Sequence, residues 1–566
     1  MNKNGPVLVR LVVQYGILPY LSPQQPTTTI NQFQHRNSEH ELWKRTRSNA
    51  SFACRKTLLA LTFPATARIL ARLLPRDIRR LTMEKGAIFL DSISDLPPLL
   101  THLTLGDNFD QPSVDHHTGP IRDDKLPKKL IHHLTLGWNF NQPVDNKSLW
   151  NNLPPPLSHP TPGGRFNHPL THGGSLWDHR GSLWDRLPSR LTRLTLGGGF
   201  NHPVSNLPSG LTHLTLDDRF NQPMDNLPPG LTHLTLGFDF DQPVDKLPKR
   251  LTRLVLANSF VQGRFNQPVD NLPPSLTHLT LGDQFNQSVD KLPPQLIQLI
   301  VGHSFNQPVD KLPPTLTHLF LDRTFDQPVD NLPPSLTLLT VGREFNKPVD
   351  KLPPSLTHLT LGDNVIRSEF DQPVDKLPKN LTHLFLGHGF NQPVDHLPSG
   401  LTHLTVGSKF DQPVDNLPPS LIRLILGHQF NHPVDKLSKK LTHLSLGYRF
   451  NQPVDNLPPT LVHLFLDANF NQPMDKLPFG LTHLKVGSKF DRSVDNLPPS
   501  LISLVLGNEF NHPVNNLPQK LTHLALGYHF NQSLKNLPPN LVYLALSYSY
   551  TLPTNQLPST TLIKRV

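Results

Sequence analysis

One unit of 20 residues, typified by LTHLTLDDRFNQPMDNLPPG at Leu211–Gly230, recurs eighteen times between Leu191 and Tyr550. Phenylalanine marks the rhythm at Phe200, Phe220 and Phe240, from Phe265 to Phe345, and again from Phe370 to Phe530 in steps of 20. With Leu211 as position 1, apolar side chains fall at positions 1, 4, 6, 10, 14 and 17. Six such groups bury too little surface to offset the ordering of twenty backbones, so a unit must stack on its neighbours as a solenoid.

Leu211, Leu214 and Leu216 form LxxLxL, whose end alternates with the two-residue period of a short strand. The second half, QPMDNLPPG, holds too many prolines for a helix. Glycine at position 7, as in Gly237, Gly282 and Gly302, suits a sharp turn at the strand end and a positive φ. The expected fold is a mainly β repeat solenoid: a leucine-rich-repeat-like array with short parallel strands on its concave face and an extended, turn-like convex side.

Four segments follow from the rhythm. Residues 1–90 are a basic N-terminal segment, read as a helical cap or a partly disordered stretch; the acid-poor, arginine- and leucine-rich residues 55–83 suit a basic helix ending near Pro75 or an organelle-type presequence. Residues 91–190 carry early repeats interrupted by a Gly/His/Trp-rich insertion, residues 191–550 the regular array, and residues 551–566 a C-terminal cap or tail. Residues 1–90 hold 14 Lys/Arg against 4 Asp/Glu, which accounts for the whole formal charge of +10. The remainder is neutral, so nucleic-acid binding is not expected of the array. A single cysteine, Cys54, and the lack of a long apolar run point to an intracellular, cytoplasmic chain that does not cross a membrane.

The recurring FNQPV, LP and LTLG blocks together resemble the FNIP repeat, a leucine-rich-repeat-related unit of cellular slime moulds and of giant DNA viruses of amoebae. The resemblance spans about residues 96 to 550, with Gln-Pro-Val where the naming motif has Ile-Pro. It implies the host cytoplasm if the chain is viral. Some members place an F-box or a kinase domain before the repeats. No kinase motif is present, and LLPRDIRRL at Leu73–Leu81 is a faint echo of an F-box.

Asparagine or aspartate fills position 11, as Asn221, Asn286 and Asn306, and is read as a structural column beside the buried Phe220, Phe285 and Phe305. Position 15 is an aspartate column, in which each carboxylate is expected to accept a local backbone hydrogen bond while Lys246, Lys291 and Lys311 offset repulsion. Histidine occupies position 3 in eleven of the eighteen units, including His213, His233, His278, His318 and His358. Three readings stay open for that column: a polar strand surface copied by duplication, a metal-capturing ladder, and a pH-responsive binding face.

The units differ mainly at positions 5, 8 and 9. Phe320, Phe385, Phe465, Arg323, Arg343 and Tyr448 stand there, and with the histidines they are the candidate partner-contacting residues. No catalytic constellation, metal set or cofactor motif emerges. The expectation is a non-enzymatic scaffold that binds a protein partner through its concave face. The alternatives are an F-box-like substrate adaptor that docks a ubiquitin ligase subunit through residues 55–90, and a metal- or pH-dependent histidine ladder.

Overall fold

A computed structural model describes residues 191–553 apart from 205–206, 257–262 and 364–367, residues 561–565, and shorter pieces between 60 and 161. The chain divides into two units, Met1–His168 with Arg186–Leu191, and Pro169–Asp185 with Thr192–Val566. In the second unit nineteen short parallel strands follow one another from Arg193–Leu196 to Leu562–Arg565. Each pairs residue for residue with the next, as His213, Leu214, Thr215 and Leu216 do with His233, Leu234, Thr235 and Leu236. Two units are lengthened by five residues, VQGRF at Val261–Phe265 and IRSEF at Ile366–Phe370, yet the register stays intact, for Arg253 pairs with His278 and His358 with His383.

Strand order in this unit is cyclic, with Leu562–Arg565 preceding Arg193–Leu196. On the last strand Ile563, opposite the core residue Leu544, keeps 37% of its surface exposed. Within the segment 551–566, the last strand pairs with Tyr543–Leu546. Arg565 Nη1 donates to the Ser547 and Tyr550 carbonyls at 3.0 and 3.2 Å, and its guanidinium lies 5.7 Å from the Tyr550 ring centre.

The first unit carries a parallel sheet of Ala60–Phe63, Arg80–Met83, His102–Thr104, His133–Thr135 and His159–Thr161. This corrects the helix expected over residues 55–83. Ala60 faces Arg80 across a 20-residue step, and Leu81 and Met83 are buried while Arg80 between the turns is exposed. A two-residue alternation thus prevails over the helical reading of the leucines and arginines. Residues 1–59 and the Gly/His/Trp-rich stretch with Trp177 and Trp184 lie outside the described residues.

Phe220, Phe285 and Phe305 stand in an unbroken column of buried rings from Phe200 to Phe530, closed by Tyr550. Successive rings are 6.0–6.2 Å apart and nearly parallel, as between Phe285 and Phe305 or Phe200 and Phe220. On the opposite side of the sheet, stacked histidines lie only 4.1–4.4 Å apart, as His213 to His233 and His463 to His483. Strands are about 4.8 Å apart. Spacing that is shorter on the histidine face and longer at the phenylalanine column makes the histidine face concave.

Polar columns tie the turns together. Asn221 Oδ1 accepts from the Asp241 N–H at 3.0 Å and from Gln242 Nε2 at 3.0 Å, and Asn286 and Asn306 accept in the same way from the following turn. The position-15 aspartates are held differently from the local backbone bond expected of them. Lys246, Lys291 and Lys311 reach back to Asp225, Asp270 and Asp290 of the preceding turn at 2.8–3.2 Å, and where asparagine follows, Asn331 and Asn416 donate to Asp310 and Asp395.

Among the described position-7 glycines only Gly362 shows a positive φ, at 85°, and Asp217, Asp322 and Asp467 also occupy this position, so the preference for glycine has another source. A Cβ on Gly302 would lie 2.6 Å from Asp283 Cα, so successive backbones nearly touch here. Phe325→Ala is expected to lower the stability of the array by about 3–5 kcal/mol, the range for emptying a buried aromatic site. Phe479→Ala, at a ring 76% exposed, should leave the urea unfolding midpoint unchanged.

The candidate binding face

Positions 3 and 5 of every strand project from the concave face, because positions 4 and 6 are committed to the core. Histidine at position 3 forms short stacks interrupted by other residues. His213 stacks on His233; His358, His383 and His403 form a triad, as do His443, His463 and His483. Arg253, Gln298, Leu338, Arg423 and Ser503 separate or flank these groups. His278 and His318 therefore lack a ring stacked on them from the adjoining strand between them, which is Gln298.

Where position 2 is threonine, it sets the state of the ring that follows. Thr212 Oγ1 donates to the Thr192 carbonyl at 3.0 Å and lies 2.9 Å from His213 Nδ1. The same pair of contacts recurs at Thr277–His278, Thr357–His358, Thr402–His403 and Thr482–His483. A hydroxyl has one hydrogen, so both contacts are hydrogen bonds only when Nδ1–H donates to Oγ1. We assign the Nδ1–H tautomer on that ground, which turns the Nε2 lone pairs into a column of acceptors. His463 follows Val462 in place of threonine, and its buried Nδ1 has no partner.

Burial, and then the charge of neighbouring histidines, pushes His383 and His463 down to about 4 from an ordinary 6.5. Burial likewise lowers His233, His278, His318, His358, His403, His443 and His483, with Arg253 or Arg423 adding repulsion at His233, His278, His403 and His443. The unfolded chain thus binds more protons than the folded one below pH 6.5, and stability falls as pH drops from there towards 4. Thermal unfolding followed against pH should show that decline, and it should be shallower with glutamine at His383 and His463. Val462→Thr is expected to stabilise the fold by about 1 kcal/mol, the net worth of one hydrogen bond, and to give His463 the imidazole nitrogen NMR pattern of His443.

The candidate contact residues spread widely over this surface. Phe320 and Phe385 are half-buried at position 5, Phe465 is 41% exposed, and Tyr448 on the rim is 50% exposed. Arg323 Nη1 is 2.9 Å from His303 Nε2, and Arg343 pairs with Asp363 at 3.4 Å with both side chains largely covered. These two arginines are engaged within the array. Phe465 alone among the candidates lines a groove of ≈ 440 Å³, which crosses the strands from His403–Val406 to His483–Val486. Thr405, Ile425, Ser445 and Lys485 line it too, at the same position on neighbouring strands.

Charge is segregated although the array is neutral overall. None of the strands from Arg193 to Arg565 contains Asp or Glu, whereas Arg193, Arg253, Arg423, Lys485 and Lys564 lie within them. Carboxylates occupy the turn columns and the rim. Counting charge along the chain averages over positions that the strands keep apart. Among the described residues, no group of His, Cys, Asp and Glu is placed to hold a metal ion, and no helix is long and apolar enough to cross a membrane.

The chain is similar in structure to CroV588, described as a novel circular leucine-rich-repeat protein, at 30% identity over 90% of this chain and 95% of that one, with a TM-score of 0.57. It is also similar to YopM from Yersinia enterocolitica, at 21% identity over 93% of this chain and 98% of that one, with a TM-score of 0.42. No curated protein matches the sequence. The FNIP repeat profile matches residues 200–239, 220–259, 265–291, 325–364, 370–409, 390–429, 430–468, 470–508 and 493–529. With half its length matched and a 30% identical relative aligned along nearly all of it, this chain belongs to the FNIP repeat family.

Proposed function

We propose that this chain is a non-catalytic scaffold that binds a protein partner through the concave face of its repeat array, in the cytoplasm of the cell that makes it or, if the chain is viral, of the host. One observation carries the reading: everything beneath the face repeats, while the side chains at positions 5, 8 and 9 change from strand to strand. Position 5 runs through Thr360, Phe385, Thr405, Ile425, Ser445, Phe465 and Lys485 on successive strands. A rigid, evenly spaced lattice with a distinct side chain at each node can recognise one extended partner surface without rearranging.

The adaptor alternative draws no support from the described part of residues 55–90. Ala60–Phe63 and Arg80–Met83 there are strands in step with the repeats.

The test compares affinity capture by the full chain with capture by a Phe320→Ala, Phe385→Ala, Phe465→Ala variant and by a turn-edge variant, Lys246→Ala. Proteins retained by Lys246→Ala and lost from the triple variant are the expected result. Equal recovery on all three would refute recognition by this face.

A further inference from the structure

The concave face differs along its length, and the differences converge on one stretch. Over the strands His403–Val406, Arg423–Ile425 and His443–Leu446, position 5 carries the modest side chains Thr405, Ile425 and Ser445, and position 7 carries Gly407, Gly427 and Gly447. Two strand spacings make this trough about 10 Å wide. On the far side Phe465 and Lys485 rise from the next two strands and wall it. Three consecutive glycines at position 7, beside Thr405 and Ser445 on either side of Ile425, leave the backbone itself as part of the floor.

Cations outnumber carboxylates around the trough. Arg423 and Lys485 stand on the face, and Lys409, Arg449 and Lys489 on the adjoining rim. Among the described residues no carboxylate pairs with any of these five, whereas Lys436 and Lys476 on the turn edge of the same repeats are paired with Asp415 and Asp455. Rim carboxylates such as Asp217, Asp218, Asp239, Asp283 and Glu344 gather over the earlier repeats. Beside the trough only Asp467 is anionic, and one of its oxygens accepts from the Ala468 N–H at 2.8 Å.

We propose that this trough docks an extended acidic peptide, with glutamate or aspartate side chains on Arg423 and Lys485 and an aromatic or branched apolar side chain against Ile425 and Phe465. The proposal rests on the scaffold reading and names the partner chemistry for one part of the face. Hydrogen-bond complementarity favours a peptide over a polynucleotide. The Nε2 atoms of His403 and His443 and the second oxygen of Asp467 are acceptors that backbone N–H groups satisfy. A phosphodiester backbone offers those acceptors no hydrogen, whereas an extended peptide presents a backbone N–H at each residue.

The experiment is fluorescence anisotropy with the full chain and a fluorescein-labelled peptide alternating glutamate with phenylalanine. Its lysine-for-glutamate counterpart and an oligouridylate of equal charge serve as competitors. The acidic peptide should bind, and Arg423→Glu with Lys485→Glu should weaken it by about tenfold or more, as for loss of close interfacial charge pairs. Phe465→Ser should weaken it as well, while Lys246→Glu on the turn edge should not. Circular dichroism verifies that each variant keeps its sheet. Absence of binding, equal binding of the lysine peptide, an equal effect of Lys246→Glu, or displacement by a lower concentration of oligouridylate would each overturn the proposal. If the probe fails while captured proteins remain sensitive to Phe320→Ala and Phe385→Ala, the acidic-peptide site falls and the scaffold reading stands.

Discussion

The contacts that hold the array together run chiefly between one turn of chain and the next. Phe305 is buried because Phe285 and Phe325 lie on either side of it, about 6 Å away. The Asn306 side chain is satisfied by the backbone of Asp326, and Lys311 by Asp290. The strand hydrogen bonds have the same dependence, since a parallel ladder of four-residue strands has no partner within its own turn. Stability is thus a property of adjacency, and the conditions of one interface set the conditions of all.

That adjacency also shapes the face. Inward crowding brings imidazoles to about 4.2 Å, close enough to stack and too close to share positive charge at neutral pH. Where threonine precedes the ring, its hydroxyl is shared between the backbone and the imidazole, so a residue chosen for the strand edge also fixes the ring's proton. The same geometry that excludes charge from the histidines leaves Arg423 and Lys485 as the fixed positive points of their neighbourhood. Electrostatic character on this surface comes from the few exceptions to the repeat.

The strands and the phenylalanine core were legible in the sequence because LxxLxL and Phe recur with one period that admits a single stacking solution. The strand at Ala60–Phe63 was hidden, since its leucines sit among arginines and prolines that imitate a basic helix, and only pairing with Arg80–Met83 reveals it. Glycine at position 7 was noticed for its conformational freedom, yet the demand at Gly302 comes from the backbone of another turn, which no single unit displays. The histidine column could be read directly; its tautomer could not, because that depends on a carbonyl 20 residues earlier. The trough at Ile425 and Phe465 becomes visible when the units are read down columns instead of along the chain.

Because each turn meets its neighbours through the same columns, the number of turns is nearly a free variable. An unequal crossover that adds or removes one whole unit presents the cut ends to one another as an interface the fold already contains. Core, turn and lysine–aspartate bridges would be restored at once. The order of Thr405, Ile425, Ser445 and Phe465 across neighbouring strands would not. In a lineage of such genes, recombination can therefore rewrite what the surface recognises while leaving folding untouched, and a difference in repeat number between two relatives is a change of specificity before it is a change of stability.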